Sequence, residues 1–182
     1  MSPTQTEFNS AWLHPRSVSG RSTSTNGNDT LLSVLTLSLG RDAIFFCQCP
    51  YACPPETVWE VLTDASSYPK WAVGIHRLEG QIAEGKRLQP FTISKPQSPM
   101  TLRVRNLVRP RTLTLSGGLP LNLFRGDRTF TLIPQPDSTT EFRMCEVFSG
   151  PLSPVLGRII PDLTASFEAC ATGLKNWCEN QR

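Results

Sequence analysis

The sequence predicts an α+β domain in which a curved antiparallel β-sheet covers a long C-terminal helix. Three observations point there. Six short segments of period two run between His76 and Phe148, Gly-, Pro-, Asp- and Ser-containing turns join them at short intervals, and a four-turn apolar stripe follows near the C-terminus. Short turns favour antiparallel connections, because a parallel crossover needs a dozen residues or more.

The elements follow in order. Residues 1–30 are rich in Ser, Thr and Asn and lack an apolar pattern, so they are expected to be a disordered tail ahead of a domain spanning 31–182. Leu31 to Leu39 reads as a strand or lead-in, and Ala43 to Cys53 as a strand. Pro54-Pro55-Glu56 opens a helix, since proline suits a first turn where its missing N–H costs nothing. Val58, Trp59, Val61 and Leu62 give that helix an apolar face ending near Asp64, and a short turn carries Tyr68 and Trp71. Strands are then expected over His76–Gly80, Leu88–Ile93, Leu102–Val108, Arg111–Gly117, Phe124–Ile133 and Thr140–Phe148, with Pro90 marking a bulge or an edge. Leu152 to Ile160 forms a short helix, and Pro161 starts the main one. In it Leu163, Phe167, Cys170, Leu174 and Trp177 recur at spacings of three and four.

Composition excludes several classes. A chain of 182 residues with 38% hydrophobic residues suffices for one domain with its own core. The net charge is only +3 and no aromatic-laced basic stripe is present, which argues against nucleic acid. The Leu31–Leu39 run is too short for a membrane span of ~20 residues. The six cysteines lack a secretory leader ahead of them, so thiols in a reducing compartment are expected, with cytoplasmic localisation favoured over organelle targeting by the tail. Cys47-x-Cys49-x3-Cys53 is not a usual zinc spacing, and phosphate-binding glycine loops are absent, so neither metal nor cofactor is expected.

Pro55-Glu56-Thr57-Val58-Trp59-Glu60-Val61-Leu62-Thr63-Asp64, Tyr68-Pro69-Lys70-Trp71 and Leu78-Glu79-Gly80 together resemble the opening of the SRPBCC superfamily, nearest its START-like and polyketide cyclase/dehydrase group. Glu84-Gly85-Lys86-Arg87-Leu88, Phe124 to Phe130 and Glu146 to Gly150 extend the resemblance over roughly residues 43–179. It implies a helix-grip fold with a cavity between sheet and C-terminal helix, and ligands such as lipids, quinones or polyketides. It does not imply one chemistry. Where many bacterial relatives carry His in the Gly-acid-His-x-Phe segment, this chain has Arg128, so a mechanism resting on that His does not transfer.

Alternation adds an independent argument. Phe124, Gly126, Arg128, Phe130 and Leu132 share one face of their strand, and Phe142, Met144, Glu146 and Phe148 share one face of the next. If the turn at Gln135 to Thr139 joins the strands with Leu132 opposite Phe142, Arg128 falls opposite Glu146. Isolated charges are costly in an apolar interior, so the two should pair. One reading is a structural ion pair near the cavity rim. The other gives Arg128 and Glu146 a catalytic role, Arg128 stabilising an enolate oxygen and Glu146 acting as acid or base. A neighbouring arginine lowers a carboxylate's pKa and so weakens it as a base. Trp71, Phe91, Asn106, Phe130, Met144 and Phe167 are the candidate ligand contacts, Asn106 being inward by the phase of Leu102 and Val104.

The expected function is binding of a hydrophobic or aromatic small molecule, with cyclisation or dehydration in secondary metabolism as its enzymatic form. The alternatives are a lipid, quinone or intermediate carrier, and a protein-interaction module with a filled core. Deletion of residues 1–30 should leave the melting temperature unchanged, because the segment lacks an apolar pattern able to bury surface. A drop of many degrees in a thermal melt would show instead that it docks on the domain.

Overall fold

The computed structural model describes residues 33–39, 42–156 and 163–180. The tail expected over residues 1–30 and the helix start expected at Pro161 lie outside these. The strands are β1 Ser33–Leu39, β2 Asp42–Tyr51, β3 Ile75–Gly80, β4 Arg87–Thr92, β5 Leu102–Val108, β6 Thr112–Gly118, β7 Arg125–Pro134 and β8 Thr140–Ser149. They form a single curved 8-stranded sheet of order β1-β2-β8-β7-β6-β5-β4-β3. All neighbours run antiparallel. Helices α1 (Pro55–Thr63) and α2 (Tyr68–Trp71) connect β2 to β3, while α3 (Ser153–Leu156) and α4 (Thr164–Glu179) follow β8. None of the described helices is long and apolar enough to cross a membrane.

Local chemistry explains the boundaries. Pro54 caps α1 and Pro55 fills its first turn, and Asp64 then accepts from the Ser66 N–H at 2.9 Å to start a 3-10 turn into α2. The β4–β5 ladder holds only Arg87–Arg103 and Leu88–Leu102, stopping before Pro90, which has no N–H to donate. On β2 the inward residues Phe45, Cys47, Cys49 and Tyr51 are buried against α4. Tyr51 stacks on Phe142 with ring centroids 4.9 Å apart and donates to the Ala171 carbonyl at 2.8 Å. The end of α4 is tied to the same strand, because Lys175 reaches the Pro50 carbonyl at 2.7 Å and Glu179 accepts from the Ala52 N–H at 2.6 Å.

The buried face of α4 is rotated from the stripe that hydrophobicity predicts. Phe167, Ala171, Leu174 and Cys178 are fully buried, whereas Leu163, Cys170 and Trp177 are only partly covered. Small residues cause the rotation. Ala171 lets the helix approach Tyr51, and Gly173 lies so close to α2 that a Cβ there would overlap the Trp71 carbonyl oxygen. A mid-helix glycine is intrinsically unfavourable, and here it permits the close contact. Gly173→Ala should therefore destabilise the domain by about 1–3 kcal/mol. Thr172→Ser, on the exposed side of the same turn, should stay within about 0.5 kcal/mol of the parent in denaturant unfolding. Equal effects of the two changes would refute the close packing.

Candidate functional site

The inner face of the sheet is built from residue rows that cross the strands. In β7–β8 the register sets Leu132 opposite Phe142, Phe130 opposite Met144, Arg128 opposite Glu146 and Gly126 opposite Phe148. That is the register the alternation predicts. The neighbouring ladders extend the charged row, adding Leu115 and Val104 on one side and Phe45 on the other. They also extend the Gly126 row through Gly117.

Two ends of the inner space differ. The rows holding Leu113, Phe130, Leu132, Phe142 and Met144 are buried, so that end is filled core. One row further along, the side chains of Arg128 and Glu146 keep 30% and 13% of their surface accessible, although both face the helix. Solvent therefore reaches the pair, and in the row beyond it Phe148 lies over Gly126 and Leu102 over Gly117.

Arg128 donates to Glu146 Oε2 from Nε at 2.9 Å and from Nη2 at 2.5 Å. Both bonds end on one carboxylate oxygen. The other, Oε1, lies 3.5 Å from where a Cβ on Gly126 would stand. The guanidinium sits over the Phe167 ring, 5.1 Å from its centroid. Burial works against the charge on Arg128, but the carboxylate and hydrogen bonds of Glu146 outweigh it, so its pKa stands above the ordinary value. Aromatic rings frame the pair. Phe45 lies 6.1 Å from both Phe148 and Phe167, and Phe124 stacks on Phe148 at 5.6 Å. Neither Phe45 nor Phe148 is among the ligand contacts that the sequence suggests. Only the non-local β2–β8 pairing brings Phe45 to Glu146.

The remaining candidates fall in different places. Phe130, Met144 and Phe167 are buried just below or above the pair, and Trp71 is buried in α2, donating to the Ser67 hydroxyl at 3.1 Å. Two expectations need correction. Asn106 is exposed, because its left-handed backbone (φ 49°) bulges β5 between Arg105 and Val108, and Leu107 takes the inward position instead. Phe91 lies outward, since Leu88 and Pro90 occupy the inner phase of β4, and it packs under Arg77 at 4.1 Å.

The cysteines are all thiols, with Cys47, Cys49, Cys53 and Cys178 buried. Burial raises the pKa of Cys47, Cys49 and Cys170, which holds them neutral and poorly nucleophilic. Among the described residues no three His, Cys, Asp or Glu converge as a metal-binding group. Two surface depressions, of about 410 and 680 Å³, are lined by outward residues such as Arg87 and Gln89, and Gln48 and Glu141, away from the pair.

A family described as polyketide cyclase / dehydrase and lipid transport matches residues 50–179. Solved structures share the fold. A Rhodobacter sphaeroides protein is 16% identical, with 82% of this chain and 100% of that one covered at a TM-score of 0.64. A START superfamily protein from Mycobacterium smegmatis is 17% identical, with 76% and 99% covered and a TM-score of 0.56. The Zhui aromatase/cyclase from Streptomyces sp. R1128 is 12% identical, with 77% and 95% covered and a TM-score of 0.58. No curated protein matches the chain.

Removing one partner of the inner pair strands the other. Glu146→Gln should lower unfolding stability by about 1–3 kcal/mol. Arg128→Met combined with Glu146→Leu should recover part of that loss, because an apolar replacement of both charges leaves neither unpaired. Denaturant titration of the single and double variants reads both effects, and a double variant no better than the sum of its singles would contradict this account.

Proposed function

The chain belongs to the polyketide cyclase/dehydrase and lipid transport family, and from that premise we propose that it holds a flat, apolar small molecule bearing an oxygen function between the sheet and α4. One observation carries the reading: a solvent-reached ion pair stands on an otherwise apolar inner face, ringed by Phe45, Phe124, Phe148 and Phe167. A few polar groups converging within an apolar lining are the usual design of a ligand site.

The proposed roles follow from the geometry. Arg128 spends Nε–H and one Nη2–H on Glu146, so its remaining N–H groups are the donors for a ligand carbonyl or phenolate oxygen. Glu146 Oε1, which lies beside Gly126 together with the Phe148 ring, accepts from a ligand hydroxyl. Phe148 and Phe45 supply flat surfaces for an aromatic or polyene body. Phe130 and Met144 close the floor.

The same geometry favours recognition over catalysis. Arg128 already engages Glu146 through two hydrogen bonds to Oε2, so the pair is committed to itself and not poised for proton transfer. Cyclisation or dehydration by this pair would have to move a proton through Oε1, the oxygen that Arg128 leaves free. A carrier of a quinone, lipid or polyketide-like intermediate needs no such step.

Two probes of matched shape test the assignment, 1-hydroxyanthraquinone and anthracene, titrated against intrinsic tryptophan fluorescence. Arg128→Met should weaken the quinone about tenfold or more, as expected for losing a charge-assisted hydrogen bond, and leave anthracene within about twofold. Equal losses for both probes would mean that Arg128 only supports the fold. Native mass spectrometry of protein from its own host would then identify the physiological ligand.

A further inference from the structure

The thiols gather in one part of the core. Cys47, Cys49 and Cys53 lie along and just beyond the end of β2, and Cys170 and Cys178 lie on α4, which packs against that strand. Two of them are in direct contact across the junction: the side chains of Cys53 and Cys178 are hydrogen-bonded to each other. Both are withdrawn from solvent, at 1% and 0% exposure.

The backbone on either side of this pair is held in place. The Ala52 N–H donates to Glu179 Oε1 at 2.6 Å, so the residue next to each cysteine is bonded across the same junction. Lys175 braces Glu179 at 2.9 Å, and the Thr140 hydroxyl donates to the Cys53 carbonyl at 2.6 Å. Pro54 and Pro55 follow at once and begin α1, which limits how far Cys53 can turn. A disulfide requires two chains that already lie close with converging side chains, and these contacts supply that. The neighbouring thiols are placed less favourably. Cys47 and Cys49 project side by side from one strand, and Cys145 stands on the outer face of β8.

We propose that Cys53 and Cys178 are a redox-active pair that closes to a disulfide and fastens the end of α4 to the end of β2. The oxidant is a small-molecule disulfide. One cysteine thiolate attacks a sulfur of the oxidant and releases the first thiolate, and the second cysteine attacks the mixed disulfide and releases the other. The oxidant's S–S bond breaks and one forms between the two Sγ atoms. The cysteines give up two electrons, and their protons leave with the released thiols.

Reaction starts from the helix end. Cys178 is one residue from the last residue of α4, where fraying is easiest, and the Ala52–Glu179 bond beside it is exposed. The hydrogen bond to Cys53, and then burial, raise the Cys178 pKa, so the closed pair stays reduced until that turn opens. The closed loop spans nearly the whole domain, and long loops gain most from a crosslink. Arg128 and Glu146 take no part, so the inference does not depend on the proposed ligand.

The test is incubation of the full chain with oxidised glutathione, compared with dithiothreitol. Non-reducing peptide mapping by mass spectrometry should find Cys53 joined to Cys178 in monomeric protein, lighter by two hydrogens. The melting temperature should rise by roughly 5–15 °C on oxidation and return on reduction. Cys53→Ala and Cys178→Ala should each abolish the rise. The map is read on the parent chain, so a variant that folds poorly does not obscure the result. Absence of the link after incubation just below the melting temperature, where the helix end opens often, overturns the proposal. So does a preferred link through Cys47, Cys145 or Cys170, a stable glutathione adduct on Cys53 or Cys178, or a link that leaves the melting temperature unchanged.

Discussion

Two opposite charges on the helix-facing side of a sheet restrict everything around them. Arg128 and Glu146 tolerate their position only because β7 and β8 are paired in the one register that sets them face to face. A shift of one residue would turn the set outward and bring the intervening residues in, and a shift of two would leave two unpaired charges against Phe167. The charges also forbid tight packing at their own level, because a guanidinium keeps hydrogen-bonding capacity that hydrocarbon cannot meet. The core closes below them, at Phe130 and Met144, while above them Phe148 and Leu102 lie over Gly126 and Gly117.

Two sets of contacts hold α4 at the closed end. Gly173 meets Trp71 of α2, while Tyr51, Lys175 and Glu179 tie the helix to the last residues of β2. The hydroxyl of Thr140 reaches the Cys53 carbonyl at 2.6 Å and joins the start of β8 to the same corner. Burial of Phe142, Leu174 and Cys178 in that region excludes water from the Tyr51 and Thr140 bonds, while those of Lys175 and Glu179 lie at the surface. Helix and sheet are thus clamped at this end, while toward the start of α4 Phe167 packs against Phe45 and Arg128.

What is legible in the sequence is local. The β7–β8 hairpin has a short turn and two cleanly alternating strands, so the pairing of Arg128 with Glu146 follows from counting residues. Strand positions are readable for the same reason, to within a residue or two at most ends. Pattern and structure part where a backbone detail resets the phase. The bulge at Asn106 moves Leu107 inward, and the inward Pro90 carries Phe91 to the outer face. The apolar stripe of α4 misleads because hydrophobicity does not record close approach. Ala171 and Gly173 contribute to the contact face by being small, and the long apolar residues Leu163 and Trp177 lie at its margins. Phe45 escapes a local reading because strand β2 meets β8 across almost the whole domain, and no local pattern encodes that pairing.

The direction in which the domain opens bears on what the ion pair does. A catalytic pocket gains from excluding water around its reacting groups, since electrostatic effects strengthen as the site dries. Here the charged row keeps part of its surface accessible, and the row outside it sets two glycines against Leu102 and Phe148. The rings of Phe124 and Phe148 stack on each other beside that row. On the proposed reading, Arg128 and Glu146 would fix the orientation of a ligand whose apolar body lies against Phe45 and Phe148. That distribution of charge and packing suits holding a ligand more than converting it.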